Sequence, residues 1–262
     1  MPLNPPPEPP SPIARPTRAI IMAGGRGQRL RPYTWVFPKP LMPIGQMSVL
    51  ELILRQLAYY GFTDVTIAIG YMAEYIRLVA GDGMRFGLNI AYVQETQALG
   101  TAGALSLVSD LAQHDQPFLV LNGDLVTSLD FRQLMDHHLS HTAAATIATY
   151  SRTITIGLGV LSADATGQVT DWVEKPSYEY QISMGINVLT PALLRYIQPD
   201  QRLDLPDLIR LALRDQQSIV TYPFIDGYWL DIGRLEDYEQ ALNDVDSLMP
   251  KLLPNWTPNA DR

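Results

Sequence analysis

A glycine-rich segment followed by several cations carries the clearest chemistry in the sequence. The small residues are Ala23, Gly24, Gly25 and Gly27, and the cations are Arg26, Arg29, Arg31 and Lys39. Glycine lets backbone amides approach an anion without interference from a Cβ atom, and arginine and lysine neutralise phosphate charge. The whole chain has a formal net charge of −8, so a local run of four cations is unusual in it. The segment predicts a loop that binds a polyphosphate.

Two widespread phosphate-binding patterns do not describe this segment. The Walker A pattern ends in Gly-Lys-Ser or Gly-Lys-Thr, which is absent here. The dinucleotide pattern G-x-G-x-x-G would begin at Gly25, but Leu30 occupies its third glycine position. The alternative without chemistry is a glycine-rich connection with a solvated basic face.

A second candidate site begins where an apolar run ends. Residues 94–103 read Gln-Glu-Thr-Gln-Ala-Leu-Gly-Thr-Ala-Gly and lead into a predicted helix. Gly100 permits the close approach of a flat ligand, and Thr101 is predicted to cap the helix. The segment is a candidate ligand contact, with a plain strand-to-helix connection as the alternative.

Two aspartates follow apolar runs in distant parts of the chain. Asp124 ends an Asn-Gly-Asp string, and Asp231 lies in Trp-Leu-Asp-Ile-Gly before the last predicted helix. Ligands of open α/β sheets bind beyond the carboxyl ends of the strands, so Asp124 and the glycine-rich loop are expected to share one crevice. A turn residue and a helix cap are the alternatives for the two aspartates. His137 and His141 lie one helical turn apart without an acidic third ligand, so a polar helix face is favoured over a zinc site.

Short apolar runs alternate with helical patterns in the first half of the chain. Strands are predicted at 19–22, 65–69, 88–93 and 117–122, and helices at 48–61, 71–79 and 101–112. The second half is richer in strands, at 144–150, 157–161, 168–174, 182–189 and 218–222, with helices at 204–214 and 235–245. This alternation predicts an α/β fold with a doubly wound, mostly parallel sheet and helices on both faces.

Composition limits the classes of protein that remain. The 262 residues are 47% hydrophobic and 18% charged, which is typical of a globular chain that buries a core. One domain is predicted at 18–248, between a Pro-rich disordered tail at 1–17 and a second tail at 249–262. The absence of cysteine excludes disulfides and thiolate metal sites. Net acidity disfavours binding to nucleic acid or anionic membranes, no apolar run is long enough to span a membrane, and a cytoplasmic location is expected.

The string AGGRGQRLRPYT…FPKPLMPIG resembles the signature of the sugar-1-phosphate nucleotidylyltransferases, also called NDP-sugar pyrophosphorylases. The resemblance extends from about Arg18 to Val245. It implies a Rossmann-like, glycosyltransferase-A-like nucleotidyltransferase fold. It also implies the reaction of a nucleoside triphosphate with a sugar 1-phosphate to give an NDP-sugar and pyrophosphate.

The resemblance implies roles for the residues on the nucleotide side. The glycine-rich loop wraps the triphosphate, and Arg29 and Lys39 match the family's phosphate-contacting cations. Gln94 and Gly100 match positions that contact the base. Asp124 and Asp231 match the ligands of Mg²⁺, which normally binds carboxylates together with phosphate oxygens and water. Gln28 departs from the threonine or serine usual in the loop.

On the sugar side, the Glu-Lys-Pro string is the strongest match. Lys175 matches the lysine that binds the sugar phosphate, and Glu174 matches a glutamate that binds sugar hydroxyls. Gly159, Gly185 and Asn187 match further sugar-binding positions. The sequence departs from the family's usual residues at Leu158, Ser183, Met184 and Asn187, and these departures concern the sugar rather than the reaction class.

The Leu-Gly-Thr-Ala-Gly-Ala-Leu string looks most like that of guanylyltransferases acting on mannose 1-phosphate. GTP and mannose 1-phosphate are therefore the expected pair, although uridylyl-, thymidylyl- and cytidylyltransferases have close variants. A homo-oligomer is also left open. A regulatory subunit that binds nucleotide without catalysis is the second interpretation, and a kinase the third. The presence of every charged residue of the resemblance favours the enzyme.

Overall fold

The structure is a computed structural model that describes residues 16–255. Its strands, in chain order, are β1 (Arg18–Ala23), β2 (Pro43–Ile44), β3 (Met47–Ser48), β4 (Asp64–Ile69), β5 (Asn89–Gln94), β6 (Phe118–Asn122), β7 (Leu125–Thr127), β8 (Ala145–Thr155), β9 (Val160–Ala163), β10 (Val169–Val173), β11 (Ser177–Leu189), β12 (Ile219–Phe224) and β13 (Trp229–Asp231). The α-helices are α1 (Val49–Tyr59), α2 (Ala73–Ala80), α3 (Gly100–Gly103), α4 (Phe131–Leu139), α5 (Leu205–Arg214) and α6 (Leu235–Leu252). Most of the predicted Pro-rich tail lies outside the described residues.

The central sheet has seven strands in the order β12-β8-β11-β6-β1-β4-β5. Only β11 runs antiparallel to its neighbours β6 and β8, and the other pairs are parallel. Ile20 and Ile21 are both fully buried in β1, yet they belong to separate apolar clusters on opposite faces of the sheet. Helices α1, α2, α4 and α6 pack on one face, and α3 and α5 on the other. The predicted single-domain, doubly wound α/β fold is confirmed.

Helix α1 forms as its local sequence predicts. Ser48 is the N-cap, and its hydroxyl accepts a hydrogen bond from the Glu51 amide at 3.2 Å. Leu50, Ile53 and Leu57 are buried on one face of the helix. The predicted helix 48–61 is therefore correct to within the frayed ends.

The predicted helix 101–112 is wrong in its length. Only Gly100–Gly103 is α-helical, and 3₁₀ turns follow at Ala104–Leu107 and Leu111–Gln113. The amides of Ala102 and Gly103 donate to the carbonyl of Leu203, at 3.0 and 2.9 Å, because the 201–203 segment packs directly against this stretch. Contact with another part of the chain thus overrides the local helical pattern.

The last helix is longer than predicted. Helix α6 continues to Leu252, past the predicted end at 245 and into the predicted tail 249–262. Met249, Leu252 and Leu253 are buried in the core, and the Gln56 side chain donates to the Leu252 carbonyl at 2.7 Å. Pro250 removes one amide donor close to the helix end, where its cost is small. The boundary at 249 is therefore corrected for the residues up to Leu253.

Strands β8 and β11 pair beyond the rest of the sheet, from Ser177 opposite Thr155. The β9–β10 hairpin connects the ends of this arm. The predicted strands 144–150 and 182–189 were too short because the outer part of the arm is exposed and lacks a buried apolar face. Among the described residues, no helix is both long and apolar enough to cross a membrane.

Candidate active site

A cavity of about 470 Å³ lies beyond the carboxyl ends of β1 and β6. The sequence-predicted residues that line it are Ala23, Gly24, Gly25, Gly27, Arg29, Lys39, Gly100, Thr101 and Asp124. Its wall also includes Asn122, Glu95, Asp204 and Gly233, which the sequence did not single out. The crevice expected between the glycine-rich loop and Asp124 is therefore present.

The glycine-rich loop needs glycine for two different reasons. A Cβ atom on Gly24 would collide with the carboxylate of Glu95, which lies directly behind it. Gly27 has φ +58°, a backbone region that favours glycine, and its carbonyl accepts a hydrogen bond from the Thr34 hydroxyl at 2.8 Å. Gly25 faces open space, with no atom within 4 Å of its Cβ position. The loop thus leaves room for a ligand beside its backbone.

The two predicted carboxylates meet because short strands β7 and β13 form an antiparallel ladder. Asp231 pairs with Leu125, and the Ile232 amide donates to the Asp124 carbonyl at 3.2 Å. Lys39, on a 3₁₀ turn, contacts the Asp124 carboxylate directly and lies 3.1 Å from Asp231 Oδ1. One ammonium is therefore shared by two carboxylates from distant segments.

Arg29 reaches the same place from the glycine-rich loop. A Cβ atom at Gly233 would lie 2.9 Å from both Arg29 Nη2 and Asp231 Oδ1, and 3.2 Å from Lys39 Nζ. Gly233 thus provides the space in which two cations and a carboxylate converge. In the sequence, only the string Asp-Ile-Gly marks this position. A single glycine two residues after an aspartate is too common to indicate a site.

The carboxyl of Asp124 is buried and only partly paired. Burial raises its pKa above the ordinary range, the Lys39 ammonium opposes this, and the Asp231 carboxylate adds to it. Its Oδ1 atom is buried and has no hydrogen-bond partner in the described part of the chain. An unpaired carboxylate oxygen opposite a second carboxylate fits a hard divalent cation. Residues 16–255 contain no cluster of three or more His, Cys, Asp or Glu side chains arranged to hold a metal ion.

A second cavity, of about 630 Å³, adjoins the first and shares Thr101, Asn122 and Asp204 with it. The predicted residues Gly185, Asn187 and Asp231 line it. Gly185 has φ +72° where the β8–β11 register shifts, and a Cβ atom there would lie 2.6 Å from Asn122 Nδ2. The indole of Trp229 donates to the Met184 carbonyl at 3.0 Å and fixes the opposite wall. Two adjoining cavities can hold two substrates side by side.

The family model described as Nucleotidyl transferase matches residues 18–247. The chain belongs to this family. The predicted family is therefore confirmed, and the match covers the sheet and both cavities.

Relatives of this nucleotidyl transferase carry different substrate names. A Synechocystis UTP–glucose-1-phosphate uridylyltransferase is 34% identical over 87% of the chain and 63% of the relative. The mannose-1-phosphate guanyltransferase of Saccharomyces cerevisiae is 32% identical over 90% of the chain and 68% of the relative. The chain thus spans about two thirds of the length of these curated relatives.

Solved structures support the fold. A Bacillus anthracis protein assigned as a glucose-1-phosphate thymidylyltransferase superposes with a TM-score of 0.70 at 23% identity, covering 92% of this chain and 96% of that one. HddC from Yersinia pseudotuberculosis, complexed with GMP-PN, gives a TM-score of 0.66 at 24% identity, covering 87% of this chain and 99% of that one. At these identities the likeness concerns the fold alone.

Three predicted sugar-side residues of the nucleotidyl transferase lie outside both cavities. Gly159, Glu174 and Lys175 are on or beside the exposed β9–β10 hairpin. The Trp172 indole donates to Glu174 Oε2 at 3.3 Å, and a Cβ atom on Gly159 would lie 2.8 Å from that indole nitrogen. Lys175 has φ +46° at the turn into β11. Their roles stay predictions.

Gln94 is also separate from the cavity. It is exposed at the end of β5, where its side-chain oxygen accepts a hydrogen bond from Arg77 at 3.4 Å. Its neighbour Glu95 faces the cavity instead, and accepts from the Leu99 amide at 2.9 Å. An acidic residue two positions after a predicted strand was the available signal for Glu95.

Three histidines lie close together at the end of α4. The rings of His137 and His141 contact each other at a tilt of 37°, with centroids 4.3 Å apart, and His138 is buried with its Nδ1 atom 2.8 Å from the Thr146 hydroxyl. These histidines lie on α4 and the turn after it.

Proposed function

We propose that this nucleotidyl transferase is a sugar-1-phosphate nucleotidyltransferase. It would convert a nucleoside triphosphate and a sugar 1-phosphate to an NDP-sugar and pyrophosphate. The observation that carries the proposal is the Lys39 ammonium between Asp124 and Asp231, beside Arg29 and the glycine-rich loop. This arrangement places two cations next to a glycine-rich loop that can bind phosphate. It also places two carboxylates there that can bind a divalent cation.

The chemistry requires electrostatics more than proton transfer. A sugar-phosphate oxygen, already ionised at pH 7, attacks the α-phosphorus of the triphosphate, and the bond from that phosphorus to the leaving pyrophosphate breaks. Arg29 and Lys39 neutralise the triphosphate, and the loop backbone orients it. No general base is needed, because the nucleophile carries no proton at the reacting oxygen.

A divalent cation completes the site in this proposal. Members of the family generally use a divalent metal, and we propose Mg²⁺ held by Asp124 and Asp231. When bound, the ion would supply charge neutralisation at the phosphates. The Oδ1 atom of Asp124, which is buried and accepts no hydrogen bond from the described residues, supports this assignment.

The proposed substrates are GTP and mannose 1-phosphate. The Leu-Gly-Thr-Ala-Gly-Ala-Leu string and the guanyltransferase relative from Saccharomyces cerevisiae support this pair. The Synechocystis uridylyltransferase, at 34% identity, favours UTP and glucose 1-phosphate as the second candidate. The second cavity carries Met184 and Asn187, and together with Gly185 and Trp229 they would contact the sugar.

Lys175 and Glu174 are proposed to act on the sugar phosphate and sugar hydroxyls. Because the hairpin that bears them is exposed, this role requires the hairpin to approach the second cavity when substrate is bound. The arm formed by β8 and β11 connects the hairpin directly to that cavity, since Ser183, Met184 and Gly185 belong to β11.

The test is pyrophosphate release by the purified chain with Mg²⁺. GTP, UTP, CTP, dTTP and ATP are each paired with mannose, glucose, heptose and N-acetylhexosamine 1-phosphates. Release that depends on both substrates supports the proposal, and the responding pair identifies the sugar and base. Nucleotide binding without pyrophosphate would indicate a regulatory subunit, and release of nucleoside diphosphate would indicate a kinase.

A further inference from the structure

Residues 99–103 and 201–205 are held together by hydrogen bonds in both directions. The Leu203 amide donates to the Leu99 carbonyl at 2.8 Å, and the Leu203 carbonyl accepts from Ala102 and Gly103. A Cβ atom on Gly100 would lie 2.6 Å from the Leu203 carbonyl oxygen, so the close approach requires glycine at this position. The wall of the first cavity at Gly100 is therefore fixed to the segment that begins α5.

Thr101 and Asp204 exchange their capping groups between two helices. The Thr101 hydroxyl accepts a hydrogen bond from the Leu205 amide, in the first turn of α5, at 2.8 Å. Asp204 is the N-cap residue of α5, but its side chain makes no cap bond there. Its Oδ1 instead accepts from the Thr101 amide in α3, at 3.4 Å. Each residue thus supplies the acceptor that the other helix needs.

This exchange lies where the two cavities meet. Thr101, Asn122 and Asp204 line both cavities, and Asp204 is the only charged residue among those shared in the described chain. On the α5 side, Leu205, Pro206 and Ile209 continue the wall of the second cavity. Beside the backbone bonds of Leu203, the position of one wall relative to the other is therefore set by two side-chain bonds: Leu205 amide to Thr101 hydroxyl, and Thr101 amide to Asp204 Oδ1.

We infer that Thr101 and Asp204 are positioning residues that hold the nucleotide cavity and the sugar cavity in the register required for reaction. The inference rests on the proposed function. In-line attack requires the sugar-phosphate oxygen and the α-phosphorus to be correctly aligned, and displacement by about 1 Å can cost as much as about 100-fold in rate. Loss of the exchange should therefore affect the rate at saturation more than the binding of either substrate.

The test compares variants that remove the exchanged acceptors with variants that keep them. Thr101→Val and Asp204→Ala should each lower kcat about tenfold while KM for each substrate changes less than about threefold. Thr101→Ser and Asp204→Asn retain an acceptor oxygen and should keep at least about half of kcat. The double variant Thr101→Val/Asp204→Ala should have about the same kcat as the slower single variant. The two losses should not add, because both substitutions disrupt the same pair of hydrogen bonds.

Asp207→Ala is the matched control. Asp207 is an exposed acid in the first turn of the same helix, lines neither cavity, and pairs with Arg210 at 2.6 Å. The Asp207→Ala variant should have the same kcat as the wild type. Thermal unfolding of every variant separates a rate defect from a folding defect, and Asp204→Ala provides the readout if Thr101→Val does not fold.

Three results would overturn the inference. They are an unchanged kcat in both acceptor-removing variants, a rise in the sugar KM alone in Asp204→Ala, or additive losses in the double variant. The second result would make Asp204 a direct sugar ligand rather than a positioning residue. If the wild type itself releases no pyrophosphate with any pair, the proposed function fails first, and this failure is distinct from the other three.

Discussion

The ammonium of Lys39 lies 3.1 Å from the carboxylate of Asp231 while it also contacts the carboxylate of Asp124. The β7–β13 ladder brings the two aspartates together, and the 3₁₀ turn at Lys39–Leu41 inserts the lysine between them. Lys39 is almost fully buried at this point. A buried cation that two carboxylates share is held firmly in place, since each carboxylate limits its movement.

The first prediction concerns the carboxylate with the orphaned oxygen. Asp124→Asn should lower turnover by about 100-fold or more in saturating Mg²⁺, because the amide keeps the shape of the side chain but not its charge toward a cation. The thermal midpoint should stay close to that of the wild type. Pyrophosphate release and a melting curve measure both effects.

Asp226→Asn is the matched control for this change. Asp226 is exposed and has φ +57°, a conformation that asparagine also tolerates. It should leave turnover unchanged. Near-normal turnover of Asp124→Asn would contradict the metal-ligand assignment.

The second prediction concerns the space at Gly233. Gly233→Ala should lower turnover about tenfold or more, since the new methyl group would lie 2.9 Å from Arg29 Nη2 and Asp231 Oδ1 and displace both. The added methyl meets side-chain ends rather than backbone, so the fold should persist. Gly157→Ala, at a position with open space around its Cβ, should have no effect. Equal turnover of the two variants would argue against the convergence of charges at Gly233.

Local signals account for much of the fold and for the glycine-rich loop. Ser48 and Glu51 are three residues apart, and their cap bond forms within one turn, so the helix they begin was predictable. Glu95, Asp204 and Gly233 act through contacts with distant segments. The Glu95 carboxylate occupies the space that a Cβ atom on Gly24 would need, and the Arg29 guanidinium lies beside Gly233. Asp204 accepts a hydrogen bond from the Thr101 amide. No local pattern marks such contacts.

The failure at Thr101 has the same cause. Its sequence context predicts a cap on its own helix, but its hydroxyl accepts from the Leu205 amide in α5. A threonine hydroxyl can accept from any nearby amide, and the chain fold decides which one is nearby. The sugar-side hairpin is a different case. Its residues match the family string, but the position of an exposed hairpin depends on contacts that a sequence pattern does not contain.

The third prediction separates the two substrates. Lys175→Met should raise KM for the sugar 1-phosphate about tenfold or more, because a cation that pairs with phosphate is lost, and should change KM for the nucleotide little. Lys251→Met, at an exposed position on α6, is the matched control. Initial rates at varied concentrations of each substrate give both constants. An equal rise in both KM values would contradict a selective role of Lys175 in binding the sugar phosphate.

The fourth prediction concerns pH and the buried histidine. Burial lowers the pKa of His138 to about 4 from an ordinary value of 6.5, and the charges of His137 and His141 act in the same direction. The unfolded chain therefore binds more protons than the folded chain between these values, so stability is full above about pH 6.5 and is lost as the pH falls toward 4. Allowing for solvent screening, the loss is on the order of 1 to 2 kcal/mol.

Urea unfolding of the wild type and of His138→Asn across this pH range tests the effect. The variant lacks the titrating ring, so its stability should fall less steeply with decreasing pH, even if it starts lower. His114→Asn, at a largely exposed side chain, should keep the slope of the wild type. Parallel curves for the wild type and His138→Asn would show that His138 is not the linked group.

The fifth prediction tests where the folded domain ends. A chain that stops after residue 248 loses Met249, Leu252 and Leu253 from the core, and burying a side chain of this size contributes about 1.5–3 kcal/mol. It also leaves the Gln56 amide without the Leu252 carbonyl, although the Thr127 carbonyl remains 2.7 Å away. The free energy of unfolding should therefore drop by several kcal/mol. A chain that stops after residue 255 keeps these contacts and should be more stable in urea than the chain that stops after residue 248. Equal stability of the two shortened chains would mean that the last turns of α6 do not contribute to the core.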